Sequence, residues 1–501
     1  MSSLRASRIV LRALVVYTGA CVLVVEILAT RILAPHFGSS LMTLSSVLGI
    51  TLGALSIGYY AGGLLADRRP QWTVLGMLLS VSGVLTLLIW PLSFFCLQPL
   101  EMHLSVGTGA LVASITLFLL PCAVLGTLSP YVIGLEQSLA PGMAAGRAAG
   151  NIFFWSTLGS IAGSIAAGFV LIPLLGVRAV IVGIGTSLLM LGCVIVMATA
   201  SSKKAKGTAL VLVIISACAT AIPEPTQALF SAEGVYQRIA VHDMLLKGRP
   251  VRILWQDRNA SSGIRLDSKD YAFDYTRVPA VAWTGRKAPE KSLVIGAGAF
   301  VIPDAIAASA PGAEVDVVDI EPRLEEIATT YFEHQPTSRV RSIVSDGRVW
   351  MRRGPRYDLI VADAYQATYA IPVHLTTEEF FALAKDRLSD DGVFVGNFIG
   401  SLDFSKKNYL PSAMRTLRSV FPKGRFYAIT EPHTTELQNV MFVGCKADSC
   451  VDPCSAPLKK SPDPILSTLC SREISVNAQD LEGHVLLTDD YAPVEWLTHK
   501  S

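Results

Sequence analysis

Charge is scarce in this chain: only 16% of its 501 residues are Asp, Glu, Lys or Arg, while 51% are hydrophobic. With a mean hydropathy of +0.46, it is too apolar to be a soluble protein throughout its length. A basic excess is lacking too. The formal net charge of +2 supplies no basic face or stripe of the kind nucleic acid requires, so no nucleic-acid partner is expected. Among the nine cysteines there is no C-x2-C pair, which is poor spacing for a zinc site, and no metal ligands are assigned.

The charges that are present crowd beyond about residue 230. Before that point lie about seven apolar stretches, near 10–32, 41–65, 72–95, 107–135, 146–172, 178–200 and 207–222. A helix needs about 20 apolar residues to cross a hydrocarbon core of about 30 Å. The first stretch carries on through Glu26 and Arg31, too far for a cleaved signal peptide. These two ionisable groups read as a structural ion pair or as the lining of a polar cavity.

Arg5, Arg8, Arg12, Arg68, Arg69, Arg147, Lys203, Lys204 and Lys206 fall in alternate loops, which places the N-terminus in the cytoplasm. An odd number of spans then puts the C-terminal half outside. The short seventh segment carries that inference, because Thr208–Ile222 would rise only about 22 Å. The cluster Cys445, Cys450, Cys454 and Cys470 fits disulfides in an oxidising compartment. The expected protein is therefore multi-pass, set in a bilayer such as a bacterial inner membrane, with its soluble side leaning extracytoplasmic. The expected division is a transmembrane helical domain at 1–223, a small β-rich subdomain at 224–290 and an α/β Rossmann-like domain at 291–501.

The soluble half carries a repeated pattern of apolar strands ending on acids. Residues 291–295 form a strand that runs into a turn at Gly296 and Gly298. A helix follows, then a strand over 314–319 that ends on Asp319. In a doubly wound sheet such glycines let the backbone approach a ligand, and an acid about 20 residues later can bind ribose hydroxyls. The third glycine of a dinucleotide fingerprint is replaced by Val301, so a nucleoside without a pyrophosphate is at least as good a ligand as NAD. Further strands end at Asp346-Gly347 and at Asp363. Asp346 could also simply cap the next helix.

Here the chain resembles the membrane-fused branch of the spermidine synthase family of aminopropyltransferases. The resemblance rests on Tyr236-Gln237-Arg-Ile-Ala-Val, Val294-Ile-Gly-Ala-Gly298, Asp319, Asp346-Gly347, Asp363, Pro372-Val-His374-Leu-Thr-Thr-Glu-Glu-Phe380 and Leu487-Thr-Asp489-Asp490-Tyr-Ala-Pro-Val-Glu495, with Glu26–Arg31, 62–68 and 158–163 in the apolar half. It implies S-adenosylmethionine or its decarboxylated form as a co-substrate, with no tightly bound cofactor. The reaction it implies is alkyl transfer or cyclisation with release of methylthioadenosine. In this scheme Asp363 is the base, Tyr275 and Tyr365 shape the pocket, and Gln237, Gly296, Gly298, Asp319, Asp346 and Gly347 hold the donor. Tyr236, Gln366, His374, Asp489 and Asp490 belong to the substrate side, where Asp489, Asp490 and Glu495 read as an acidic patch that replaces carboxylates the family has elsewhere; a solvated or helix-capping role is the alternative for these three. An amine acceptor and a homodimer are the expected partners.

Two positions depart from the family pattern. Ala299 stands where the family has an Asp that holds the donor's amino group, and Gln366 where it has a polyamine-binding acid. Each lost carboxylate forfeits a charge-assisted bond worth about 1.5–3 kcal/mol, which argues against ordinary spermidine synthesis. The competing expectations are a methyltransferase, a transporter with a nucleoside-sensing domain and, third, a dehydrogenase.

Overall fold

A computed structural model describes residues 2–140, 142–220, 228–234, 236–365, 371–447 and 451–498. Gln366 and Cys450 lie outside the described residues. The chain divides into two compact units, Met1–Thr226 and Gln227–Ser501.

The first unit is helical: α1 (Ser2–Phe37), α2 (Leu41–Arg68), α3 (Trp72–His103), α4 (Val106–Leu139), α5 (Ala145–Ala166), α6 (Ile172–Thr199) and α7 (Lys203–Thr220). Helices pack as the pairs α2 with α4, α3 with α6 and α1 with α5. Small residues allow the backbones to approach closely, the usual substitute for hydrophobic drive between apolar helices. A Cβ on Gly159 of α5 would lie 1.9 Å from the Val16 carbonyl oxygen of α1.

Five helical stretches among the described residues are long and apolar enough to cross a membrane, against the expected seven: Ser7–Phe37, Leu41–Arg68, Trp72–His103, Val106–Leu139 and Ala145–Thr199. The difference has two sources. The last stretch joins α5 and α6 through a π-helical turn at Ala167–Leu171 and breaks at Gly176, whose φ of 78° and ψ of 163° are not helical. Its 55 residues would rise about 80 Å if straight, far beyond one bilayer. In α7, the eighteen residues include Lys203, Lys204 and Lys206, too many charges for an apolar span. Glu136 on α4, which the hydropathy pattern did not single out, is fully buried with Arg8 Nε 3.9 Å away.

The second unit opens with a four-stranded antiparallel sheet, β1 (Phe230–Glu233), β2 (Arg238–Leu246), β3 (Arg249–Gln256) and β4 (Asn259–Arg265), in the order β1-β2-β3-β4. A 3₁₀ segment, Asp274–Ala282, follows. Next come β5 (Lys291–Ile295), α8 (Val301–Ser309), β6 (Glu314–Asp319), α9 (Leu324–Tyr331), β7 (Val340–Val344), α10 (Gly347–Arg353), β8 (Tyr357–Ala362), α11 (Glu378–Arg387), β9 (Leu388–Gly400), α12 (Tyr409–Val420), β10 (Arg425–Ala428), β11 (Gln438–Cys445) and β12 (Glu473–Ile474).

The strand order is β12-β10-β11-β9-β8-β5-β6-β7. Strands β7, β6, β5, β8 and β9 are parallel, while β11, β10 and β12 add an antiparallel edge. The central strand is apolar on both faces, since Val294 enters one core and Leu293 and Ile295 the other; that is the signature of a parallel strand covered on both sides. From β5 the chain winds outward through β6 and β7, then returns to lay β8 and β9 on the other side. The carboxyl ends of β5 and β8 therefore flank the switch point, where sheets of this kind bind ligands. Cys454 and Cys470 form a disulfide and Cys445 is also disulfide-bonded, which removes them as zinc ligands.

Candidate functional site

Strand register alone brings the glycine turn and two acids together. Ile295 is aligned with Val318 on one side and Ala362 on the other, so Gly296, Asp319 and Asp363 leave the sheet at the same level. Backbone bonds fix them: Gly296 N donates to Val318 O at 2.9 Å and Asp363 N to Ile295 O at 2.9 Å. Gly296 has φ +97°, and a Cβ there would lie 2.3 Å from the Asp363 carbonyl oxygen. Gly296→Ala thus meets a backbone atom in a conformation that L residues avoid. The expected cost is about 2–4 kcal/mol, read as a fall of roughly 5–10 °C in the thermal midpoint of the full chain.

Asp363 is half-buried at this level of the sheet. Its Oδ1 accepts from Asn397 Nδ2 at 2.8 Å, and the Tyr275 hydroxyl lies against the same carboxyl. Burial pushes the Asp363 carboxyl up to about 7, and the bonds from Asn397 and Tyr275 hold it from rising further. A carboxyl poised there accepts a proton at neutral pH without being so weak an acid that it cannot ionise. Tyr275 comes from the 3₁₀ segment and donates to Ser261 O at 2.8 Å; Tyr365 donates to Asn397 O at 3.0 Å. Burial raises both phenols well above the ordinary tyrosine range, and the neighbouring carboxylate adds to it. Both therefore stay neutral and carry a hydroxyl.

Asp319 closes the glycine turn from the other side. Oδ2 accepts from Ala297 N at 2.8 Å and Oδ1 from Glu321 N at 2.9 Å. Burial raises its carboxyl while the amide donors oppose the rise. Gln237 is half-buried and Tyr236 exposed. The turn before them packs onto the end of β6, because a Cβ on Gly234 would lie 2.3 Å from Glu321 Oε2.

Asp346 takes the capping role its sequence position allowed. It caps α10, accepting from Val349 N at 2.9 Å, and its other oxygen meets His374 Nε2 at 2.6 Å. The His374 bond holds its carboxyl below the usual range against the effect of burial. Gly347 is buried against Ile295.

The substrate-side acids are placed differently from the expectation of a replacement acidic patch. Asp489 is engaged by Arg348 Nη1 and Nη2, at 2.7 and 2.6 Å, and by Thr377 Oγ1 at 2.7 Å. Asp490 is exposed. A carboxylate occupied by a bidentate guanidinium has little charge left for an amine, so Asp489 ties the C-terminal segment to α10.

Sequence reasoning missed Asn397 and Asn439. Asn397 is 2% exposed on β9, inside the apolar run Val393-Phe-Val-Gly-Asn397-Phe-Ile; a lone amide in such a strand was the available signal. Among the described residues no group of three His, Cys, Asp or Glu side chains could hold a metal ion.

A parallel sheet with a switch point, a glycine turn and acids on successive strand ends defines a Rossmann-like α/β domain, the kind of sheet whose ligands bind at the carboxyl ends of its strands. Residues 278–452 match the spermine/spermidine synthase domain. A polyamine aminopropyltransferase of Vibrio vulnificus is 32% identical over 242 residues, covering 45% of this chain and 75% of that one. The human eEF1A lysine and N-terminal methyltransferase is 27% identical over 146 residues, covering 27% of this chain and 20% of the other. Among solved structures, a probable spermidine synthase from Corynebacterium glutamicum aligns with a TM-score of 0.43 and 19% identity, over 54% of this chain and 99% of that one. The chain belongs to the spermidine synthase family, with an N-terminal helical region added to the shared domain.

Proposed function

We propose that this protein is a membrane-anchored aminopropyltransferase-like enzyme that takes decarboxylated S-adenosylmethionine, or S-adenosylmethionine itself, as alkyl donor. The carrying observation is Asp363, half-buried at the switch point beside the glycine turn, held by Ile295 O and Asn397 Nδ2 and with its carboxyl pushed up to about 7. The acceptor nitrogen's lone pair forms the new N–C bond, and the C–S bond breaks with its electron pair going to sulfur. The sulfonium leaves as neutral methylthioadenosine, and the nitrogen's proton passes to Asp363. Because the sulfonium already makes the carbon electrophilic, the site contributes position and a base.

Asp319 holds the ribose in this reading, Asp346 and His374 face the adenine side, and Tyr275 and Tyr365 enclose the alkyl chain. Ala299 and Gln366 favour a donor or acceptor other than the pair used in ordinary spermidine synthesis. The five long apolar helices support anchoring in a lipid bilayer. The disulfide-bonded cysteines favour an extracytoplasmic catalytic unit, whereas the charge-based inference loses its seventh span, because α7 is not among the long apolar helices.

The test is to incubate detergent-purified full chain with each donor, with and without a polyamine mixture, and to identify the nucleosides by mass spectrometry. Methylthioadenosine that depends on added amine is the expected product. Amine-independent methylthioadenosine would replace transfer by cleavage or cyclisation of the donor. S-adenosylhomocysteine would move the enzyme to methyl transfer, and no product from either donor would overturn the enzymatic reading.

A further inference from the structure

Asp363 is not held by Asn397 alone. Asn397 Oδ1 accepts from Asn439 Nδ2 at 3.0 Å, while Asn397 Nδ2 donates to Asp363 Oδ1 at 2.8 Å. Asn397 lies on β9 and Asn439 on the neighbouring antiparallel strand β11. A primary amide has two faces of opposite polarity. With the NH2 turned toward Asp363 it favours the carboxylate; with the carbonyl turned there it favours the protonated acid. Only the first orientation gives Asn439 a carbonyl to donate to.

We infer that Asn397, oriented by Asn439, is a positioning residue that holds the Asp363 carboxylate ready to accept a proton, and that the two amides together set the pH at which the base works. This inference deepens the proposed function and rests on its assignment of Asp363 as the base.

The other groups facing Asp363 cannot take over that task. Tyr275, from the 3₁₀ segment, has one proton and already shares it with the Ser261 carbonyl. Tyr365, on the same loop as Asp363, donates to the Asn397 backbone, with the Tyr409 phenol of α12 behind it. Burial keeps all three phenols neutral, so none brings a charge that could set the carboxyl. Asn397 is the group that can be switched, because turning its amide over reverses the sign of its effect.

Asn439→Asp tests this with little change in shape. A carboxylate at 439 draws the Asn397 NH2 to itself and presents the Asn397 carbonyl to Asp363. The pH midpoint of kcat/KM, read as methylthioadenosine release from decarboxylated S-adenosylmethionine with a polyamine mixture, is expected to move up by about one to two units, with the plateau rate regained at high pH. A residue that merely supports the fold would lower the rate at every pH and leave the midpoint where it was.

A second measurement does not require turnover. The infrared band of the protonated Asp363 carboxyl, identified by its loss in Asp363→Asn, is titrated in the full chain. A midpoint near 7 is expected in the unmodified protein, with higher midpoints in Asn397→Leu and Asn439→Leu. Unchanged midpoints in both would overturn the relay. If Asp363→Asn keeps full turnover, the base assignment has failed instead, and the infrared titration still decides whether the amides control the carboxyl.

Discussion

Asp363→Asn is expected to lower methylthioadenosine formation by about 10²–10⁴-fold while leaving the fold intact. The substitution keeps the shape of the side chain and removes the group that takes the proton. Donor binding should change little, because the proposed ribose and adenine contacts are at Asp319 and Asp346, so the loss belongs in kcat. The pH dependence follows from the same carboxyl. Below about 7 Asp363 is protonated and cannot accept a proton, so kcat/KM of the unmodified enzyme should fall about tenfold per unit on the acid side and level off above it. Residual activity in Asp363→Asn should lack that acid limb. A variant that binds donor normally, turns over at the original rate and keeps the same pH profile would remove Asp363 from the chemistry.

Ala299→Asp should have the second largest effect, on the choice of donor. Ala299 is 2% exposed and sits between Gly298 and the start of α8, where the family pattern places an acid against the donor's amino group. A carboxylate there would gain a charge-assisted bond to the ammonium of decarboxylated S-adenosylmethionine worth about 1.5–3 kcal/mol, or roughly 10–150-fold in affinity. Intact S-adenosylmethionine carries its own carboxylate beside that ammonium, and repulsion would cancel much of the gain. The preference for the decarboxylated donor, measured as the ratio of kcat/KM values, should therefore rise more than about tenfold. Without ligand, the buried unpaired acid should lower the thermal midpoint, and saturating decarboxylated donor should restore it. Equal weakening of both donors would show that the donor's tail does not reach residue 299.

The order strand, glycine turn, strand, acid was legible because it is local: each strand is a short apolar run, and each acid is the next residue along. Asp319 and Asp363 could be paired with the glycine turn from spacing alone, and register then set all three at one level. Asp489 was not legible in the same way. Its neighbours Asp490 and Glu495 suggested an acidic patch, but Arg348, distant in the chain, meets both its oxygens. Hydropathy set 146–172 and 178–200 apart, but the π-helical turn at Ala167–Leu171 and the break at Gly176 depend on backbone conformation that hydropathy does not report.

By itself the sequence determined the two-part plan, the strand-and-acid rhythm of the second unit and the family that this rhythm resembles. These follow from hydrophobic periodicity and from residues whose roles depend on their immediate neighbours. Only the tertiary structure decided that Asp363 is desolvated enough to hold its proton to about 7, that Asn397 and Asn439 line up behind it, and that Cys454 pairs with Cys470. Each of these depends on which strands and loops lie side by side, and a desolvated carboxyl or an oriented amide exists only once elements distant in sequence have excluded water from around it.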